Sequence, residues 1–158
     1  MANKTMMLMA AALLVAGCGG GTTTTVATPE GTMSVNQVGN EVTVRNEETG
    51  QVVTSGTGMP ADFPAEFVYP AALEVLHTFS DNQGAMSASI KTGDAPEKVI
   101  SFYQHAAASG GWQVEATLDL GTSRFLTGQR GSTGFAIEVR KDPQGGPSLV
   151  VVQMAPKE

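Results

Sequence analysis

The sequence predicts an α+β fold: an antiparallel sheet of hairpins packed by one main helix at about residues 95–109, a two-layer sandwich with an additional N-terminal β-hairpin. Three observations predict it. Period-two stretches recur in pairs around short turn sequences, as antiparallel strands do. Between them, Val99, Phe102, Tyr103, Ala106 and Ala107 recur at the three-to-four spacing of a helix with one apolar stripe. The chain has 158 residues, 41% of them hydrophobic, which suits a single cored domain.

Residues 1–17 read as an export signal: Lys4 supplies the positive end, Met6 to Val15 the apolar stretch, and Ala16-Gly17 the small residues before a cut. Leu14-Val15-Ala16-Gly17-Cys18 resembles the lipobox of bacterial lipoproteins, an aliphatic residue and two small ones before a cysteine. The resemblance implies cleavage between Gly17 and Cys18, diacylglyceryl transfer to the Cys18 thiol and acylation, with palmitate or a similar chain, of the new amino group. An uncleaved membrane helix needs about 20 apolar residues, and this run has about 12. An ordinary secretory signal with Cys18 incidental is the remaining alternative. Lipidation makes the membrane a partner, because two or three acyl chains on one residue hold it effectively permanently. Gly19 at the next position implies the periplasmic face of the outer membrane if the cell has two membranes.

Residues 18–34 follow as a flexible Gly/Thr tether, with Gly19-Gly20-Gly21, Thr22-Thr23-Thr24-Thr25 and Pro29 too poor in apolar residues to fold alone. Within 35–58, Glu41 to Asn46 alternates, Glu47-Glu48-Thr49-Gly50 turns and Gln51 to Thr54 returns, an N-terminal hairpin. Residues 59–72 carry Pro60, Pro64 and Pro70, which exclude a helix interior and a central strand. That segment should cross the domain in extended form, anchored by Phe63, Phe67 and Tyr69.

Residues 73–156 form the expected core domain. Leu73, Val75, His77 and Phe79 fall on one face of a strand, Asp81-Asn82-Gln83-Gly84 turns, and Met86, Ala88 and Ile90 face the same way on the return. Asp94-Ala95-Pro96-Glu97 starts the helix, with Asp94 as N-cap and Glu97 closing a capping box. Gly110-Gly111 ends it. Trp112, Val114, Ala116, Leu118 and Leu120 alternate as the clearest strand, a strand near 124–127 follows, and 134–141 and 148–154 make a final hairpin around Pro143 to Pro147.

Pro60-x-x-Phe63-Pro64 and Tyr69-Pro70-x-Ala72, with Phe102-Tyr103 and Gly111-Trp112 at the helix exit, resemble small uncharacterised bacterial lipoproteins over residues 41–154. The resemblance implies architecture and an exported, membrane-anchored location, and it supplies no activity.

Losing Lys4 with the signal takes the formal charge from −6 to −7, which argues against nucleic acid as partner. Cys18 is the one cysteine, so lipidation leaves no thiolate or disulfide chemistry. His77 and His105 are the only histidines and show no ligand spacing, so neither a metal nor a cofactor is expected. His77 reads as a core or rim residue and His105 as solvated. Gly131-Ser132-Thr133-Gly134 reads as a hairpin loop rather than a nucleophile elbow. Trp112, Tyr103 and His77 are the candidates for a ligand cleft, against a reading of the aromatics as core. Arg124, Arg130, Arg140 and Lys141 are expected on one exposed face or edge.

The expected function is a lipid-anchored, non-catalytic binding or assembly module of the cell envelope, with an envelope protein as a further partner and no catalytic residues. A small hydrolytic enzyme using His77 with a carboxylate such as Glu74 or Asp81, and a purely structural spacer, are the alternatives.

Overall fold

The computed structural model describes residues 14–16, 21–28 and 31–157. Gly17 and Cys18, and so the cleavage and lipidation expected there, lie outside the described residues. Eleven strands and one α-helix are present among the described residues: β1 (Leu14–Ala16), β2 (Thr22–Thr28), β3 (Gly31–Val38), β4 (Glu41–Asn46), β5 (Val52–Gly56), β6 (Ala72–Asp81), β7 (Met86–Thr92), α1 (Pro96–Ser109), β8 (Gln113–Asp119), β9 (Ser123–Arg130), β10 (Thr133–Arg140) and β11 (Ser148–Pro156). They form one antiparallel sheet in the order β1-β2-β3-β4-β5-β6-β7-β11-β10-β9-β8. After β7 the chain crosses through α1 to the far edge, and the meander β8 to β11 fills the gap back to β7.

The α+β class with one helix on an antiparallel sheet is as expected, but separate hairpins in a two-layer sandwich are not what forms. The sheet is continuous, and α1 packs on β8, β9, β10 and a short 3-10 turn at Ala65–Phe67, leaving β2–β5 to pack with their sheet neighbours. The flexible tether expected over 18–34 is also corrected, because β2 and β3 occupy most of it and pair from Thr22↔Gln37 to Thr28↔Gly31. Threonine is β-branched, and a threonine run suits a pleated strand better than its low complexity suggests.

Helix α1 begins at Pro96, whose missing N–H is harmless in the first turn. Asp94 is not its cap. Ala95 holds that position without a side-chain hydrogen bond, and the Asp94 carboxylate accepts instead from Tyr69 Oη at 2.7 Å and Lys98 Nζ at 2.8 Å. Glu97 closes no capping box and pairs with Arg124 at 2.7 Å. At the other end, Gly111 takes φ +73°, and the Trp112 N–H donates to Ala107 O at 2.8 Å, a glycine-dependent exit that turns Trp112 back under the helix.

The proline-rich segment crosses the helix side of the sheet, and Phe63, Phe67 and Tyr69 are all buried. Phe67 is central, with ring centroids 5.3 Å from Trp112, 5.2 Å from Phe135 and 6.0 Å from Tyr103. Buried hydroxyls fasten the strap. Thr78 Oγ1 lies 3.0 and 2.6 Å from the carbonyl oxygens of Gly56 and Gly58, and Thr92 Oγ1 donates to Ala71 O at 2.9 Å. Each pairs polar atoms that would otherwise be costly in the interior.

Two strands show more than their alternation indicates. In β8 the register shifts between Val114 and Ala116, so Val114 lies opposite Gly128 whereas Ala116 and Leu118 lie opposite Thr127 and Phe125, on the other face. In β6, shifts between Ala72 and Glu74 and between Val75 and His77 put Val75 opposite Ile90 on the helix side, but His77 and Phe79 opposite Ser89 and Ser87 on the back. Each bulge inserts a residue and swaps the faces of the residues beyond it. The single apolar faces expected for Leu73 to Phe79 and for Trp112 to Leu120 are therefore split, and all of β8 is exposed.

Candidate functional site

The structure separates the three residues expected to share a cleft. Trp112 and Tyr103 are core residues on the helix side, 6% and 0% exposed. His77 is exposed on the back of β6, with Nε2 3.5 Å from Ser55 Oγ. The hydrolytic pairing of His77 with Glu74 or Asp81 gains no enclosing cleft from this placement. His105 is exposed on α1, its Nδ1 2.7 Å from Ser101 O.

Trp112 is the hub of a polar staple at the helix exit. Its indole N–H donates to Glu66 Oε1 at 3.1 Å, Arg130 Nη1 donates to the same oxygen at 3.2 Å and to Gly110 O at 2.7 Å, and the guanidinium sits 4.3 Å from the indole centroid. One arginine thus pairs a carboxylate, satisfies a helix-end carbonyl and stacks on an aromatic face. The indole hydrogen bond first, then backbone bonding and Arg130, hold the Glu66 carboxyl below its usual range. Asp94 is lowered likewise by Lys98 and by the Tyr69 hydroxyl.

The four basic residues expected to gather do not. Arg124 bridges Glu97 and Asp119 at 2.7 and 2.9 Å on the helix side, Arg130 lies on Trp112, Arg140 pairs with Glu138 on the back at 2.5 Å, and Lys141 is exposed just past β10. Tyr103 Oη is buried without a hydrogen-bond partner among the described residues, and burial pushes its pKa up.

The concavity the sequence did not reveal lies elsewhere. A cleft of about 550 Å³ opens between Met59-Pro60-Ala61-Asp62 of the strap and the helix-side surface of β5–β7, with Thr54, Ser80 and Met86 on its floor and Glu41 and Asp81 also lining it. Its size falls within the roughly 300–1,000 Å³ of small-molecule sites. Two methionines give it an adaptable apolar surface beside carboxylates. The signal that could have found it is Met59 at the start of a proline-stiffened strap that must leave the sheet before Phe63 anchors it. No group of three or more His, Cys, Asp or Glu side chains is placed to hold a metal among the described residues. No helix among them is long and apolar enough to cross a membrane.

A family model described as START domain-like matches residues 73–145, just under half of the chain, running from β6 to the loop after β10. No curated protein and no solved structure matches the chain.

Proposed function

We propose that the chain is a lipid-anchored cell-envelope protein whose domain is a non-catalytic binding module, held to the membrane through Cys18 and taking a small ligand in the cleft under the proline-rich strap. The observation that carries the anchor is the sole cysteine of the chain standing directly after Leu14-Val15-Ala16-Gly17. The binding half rests on the cleft, and the START domain-like match, a description that points to ligand binding, supports it. A structural spacer has no use for such a cleft, whereas a small ligand can use the mixture of methionine and proline surface with hydroxyl and carboxylate groups that lines it. Outer-membrane residence follows from Gly19 if the cell has two membranes, and an envelope protein partner remains part of the proposal.

The two parts are tested together on protein extracted from membranes. Intact mass of the N-terminal peptide should show Cys18 as first residue carrying diacylglycerol and an acyl chain, and Cys18→Ser should release the protein from membranes. Native mass spectrometry should show a small molecule that Met86→Trp displaces without unfolding the domain. An unmodified Cys18, or a cleft empty in every preparation, would remove the corresponding half of the reading.

A further inference from the structure

We infer that the back of β2–β5 is a membrane-resting surface, seated on the bilayer that holds the Cys18 lipid. The inference rests on the anchor reading above and lies outside the segment that resembles a START domain. Cross-strand register and the two-residue period place Val26, Met33, Val35, Val42, Val44 and Val53 together on the back of the sheet. The helix side of the same strands is mainly polar, with Thr23, Ser34, Asn36, Glu41, Thr43 and Arg45, and Val38 and Val52 are its apolar members. The apolar side has thus changed over: under α1 it is the helix side, and in β2–β5 it is the back.

Within β2–β5 the back carries no Asp, Glu, Lys or Arg, since Glu41 and Arg45 both project from the other side. From β6 onward the back is charged again: Asp81 holds the register position opposite Val53, Glu74 of β6 pairs with Lys91, and Glu138 pairs with Arg140. The uncharged patch is therefore bounded, and among the described residues β2–β5 pack chiefly on their sheet neighbours. For an acidic chain, an uncharged apolar side is the one that can meet a bilayer without electrostatic cost.

The length of chain before the sheet selects the bilayer as occupant. Cys18 precedes the first residue of β2 by four positions, a reach of at most about 14 Å fully extended. The row Thr22, Gln37, Val42 and Ser55 lies at that end of the sheet. Cleavage after Gly17 also removes β1, which pairs with β2 through Leu14–Ala16, so β2 becomes the outer strand beside the anchor. A sheet tied this closely cannot stand clear of the membrane, and among the described residues the back of β2–β5 is an extended uncharged side, six apolar residues interspersed with threonines and neutral polar groups.

The test uses the lipidated, processed protein in phosphatidylethanolamine–phosphatidylglycerol vesicles. Because Cys18 is the only native cysteine and is acylated, Val44→Cys and Thr43→Cys each give one labelling site, on adjacent residues of β4 that face opposite ways. An environment-sensitive fluorophore should shift to the blue, lose quenching by aqueous iodide and gain quenching by lipid-borne spin labels at position 44, and do none of these at 43. Equal, aqueous behaviour at both positions overturns the inference. So does a blue shift at 44 that depends on protein density at fixed lipid, which would mean a second copy covers the face. The N-terminal mass separates the failures: an unmodified Cys18 sinks the anchor reading and this inference together, and a lipidated Cys18 with an aqueous position 44 sinks the inference alone.

Discussion

Strands β2–β5 and strands β6–β11 share one sheet, one antiparallel hydrogen-bonding pattern and comparable lengths, yet only the second group has an interior. Ile90, Val150, Val152, Ile137, Val139 and Leu126 are at most 2% exposed beneath α1 and the strap, while no residue of β2–β5 reaches that degree of burial. Hydrogen-bond ladders therefore specify register in both regions, and packing stabilises only one. A backbone hydrogen bond is worth about 1 kcal/mol net, comparable to the roughly 1–2 kcal/mol of backbone entropy each residue loses. The β2–β5 region consequently has little stability of its own in water and takes it from pairing with β6 or from whatever covers its back.

Removing the hub of the packed region is expected to have the largest effect. Trp112→Ala should lower stability by about 3–5 kcal/mol in denaturant titration, since it removes a buried ring packed on Phe67 and Phe135 together with the bonds to Glu66 and Arg130. An unchanged midpoint would break the comparison by showing that the aromatic cluster is not the core. Next comes one substitution made in both regions. Val150→Thr puts a hydroxyl at a 0% exposed position and should cost about 1–3 kcal/mol. Val44→Thr, at a position only partly buried, should cost less, about 0.5 kcal/mol.

The pH response should come from the packed region. The Glu66 carboxyl is depressed below its ordinary value of 4.5 by the indole and guanidinium it accepts from. Its contribution is therefore fully present above the unfolded-state pKa and disappears as pH falls through the lower folded value. Glu66→Gln should cost about 1 kcal/mol at neutral pH, and the difference from the parent protein should vanish in acid. A difference constant with pH would detach the charge from the staple. The smallest effect has the opposite tendency: Tyr103→Phe deletes a buried hydroxyl without a partner among the described residues and should leave thermal stability unchanged or raise it by up to about 1 kcal/mol.

The packed region was largely legible in the sequence. Pro96 and the Val99-to-Ala107 stripe located α1, and the aromatic residues between prolines marked the strap, because each depends on local chemistry that a short window contains. What a short window omits is register. The bulges after Val114 and Val75 reverse the faces of residues whose alternation is unbroken in the sequence, so His77 departed from Val75 and Leu118 from Trp112. Asp94 had the spacing of a cap, but Tyr69, twenty-five residues earlier, took its carboxylate. The open region was read only in part: its β4–β5 hairpin was visible, whereas β2 and β3 were hidden by repetition of threonine and glycine. Val26, Met33 and Val35 were the available clue, and the pairing of β2 with β3 gives them a common face. The cleft was invisible because it exists only where the strap lifts from the sheet.

Amide hydrogen exchange of the lipid-free Cys18→Ser protein in water tests the division of the sheet most directly. Amides of β7, β9, β10 and β11 should exchange only through global unfolding, and those of β3 and β4 at least about 100-fold faster, a gap of about 2.8 kcal/mol. Protection of β3 and β4 equal to that of β10 would contradict the account, because it would mean that the two regions unfold as one unit.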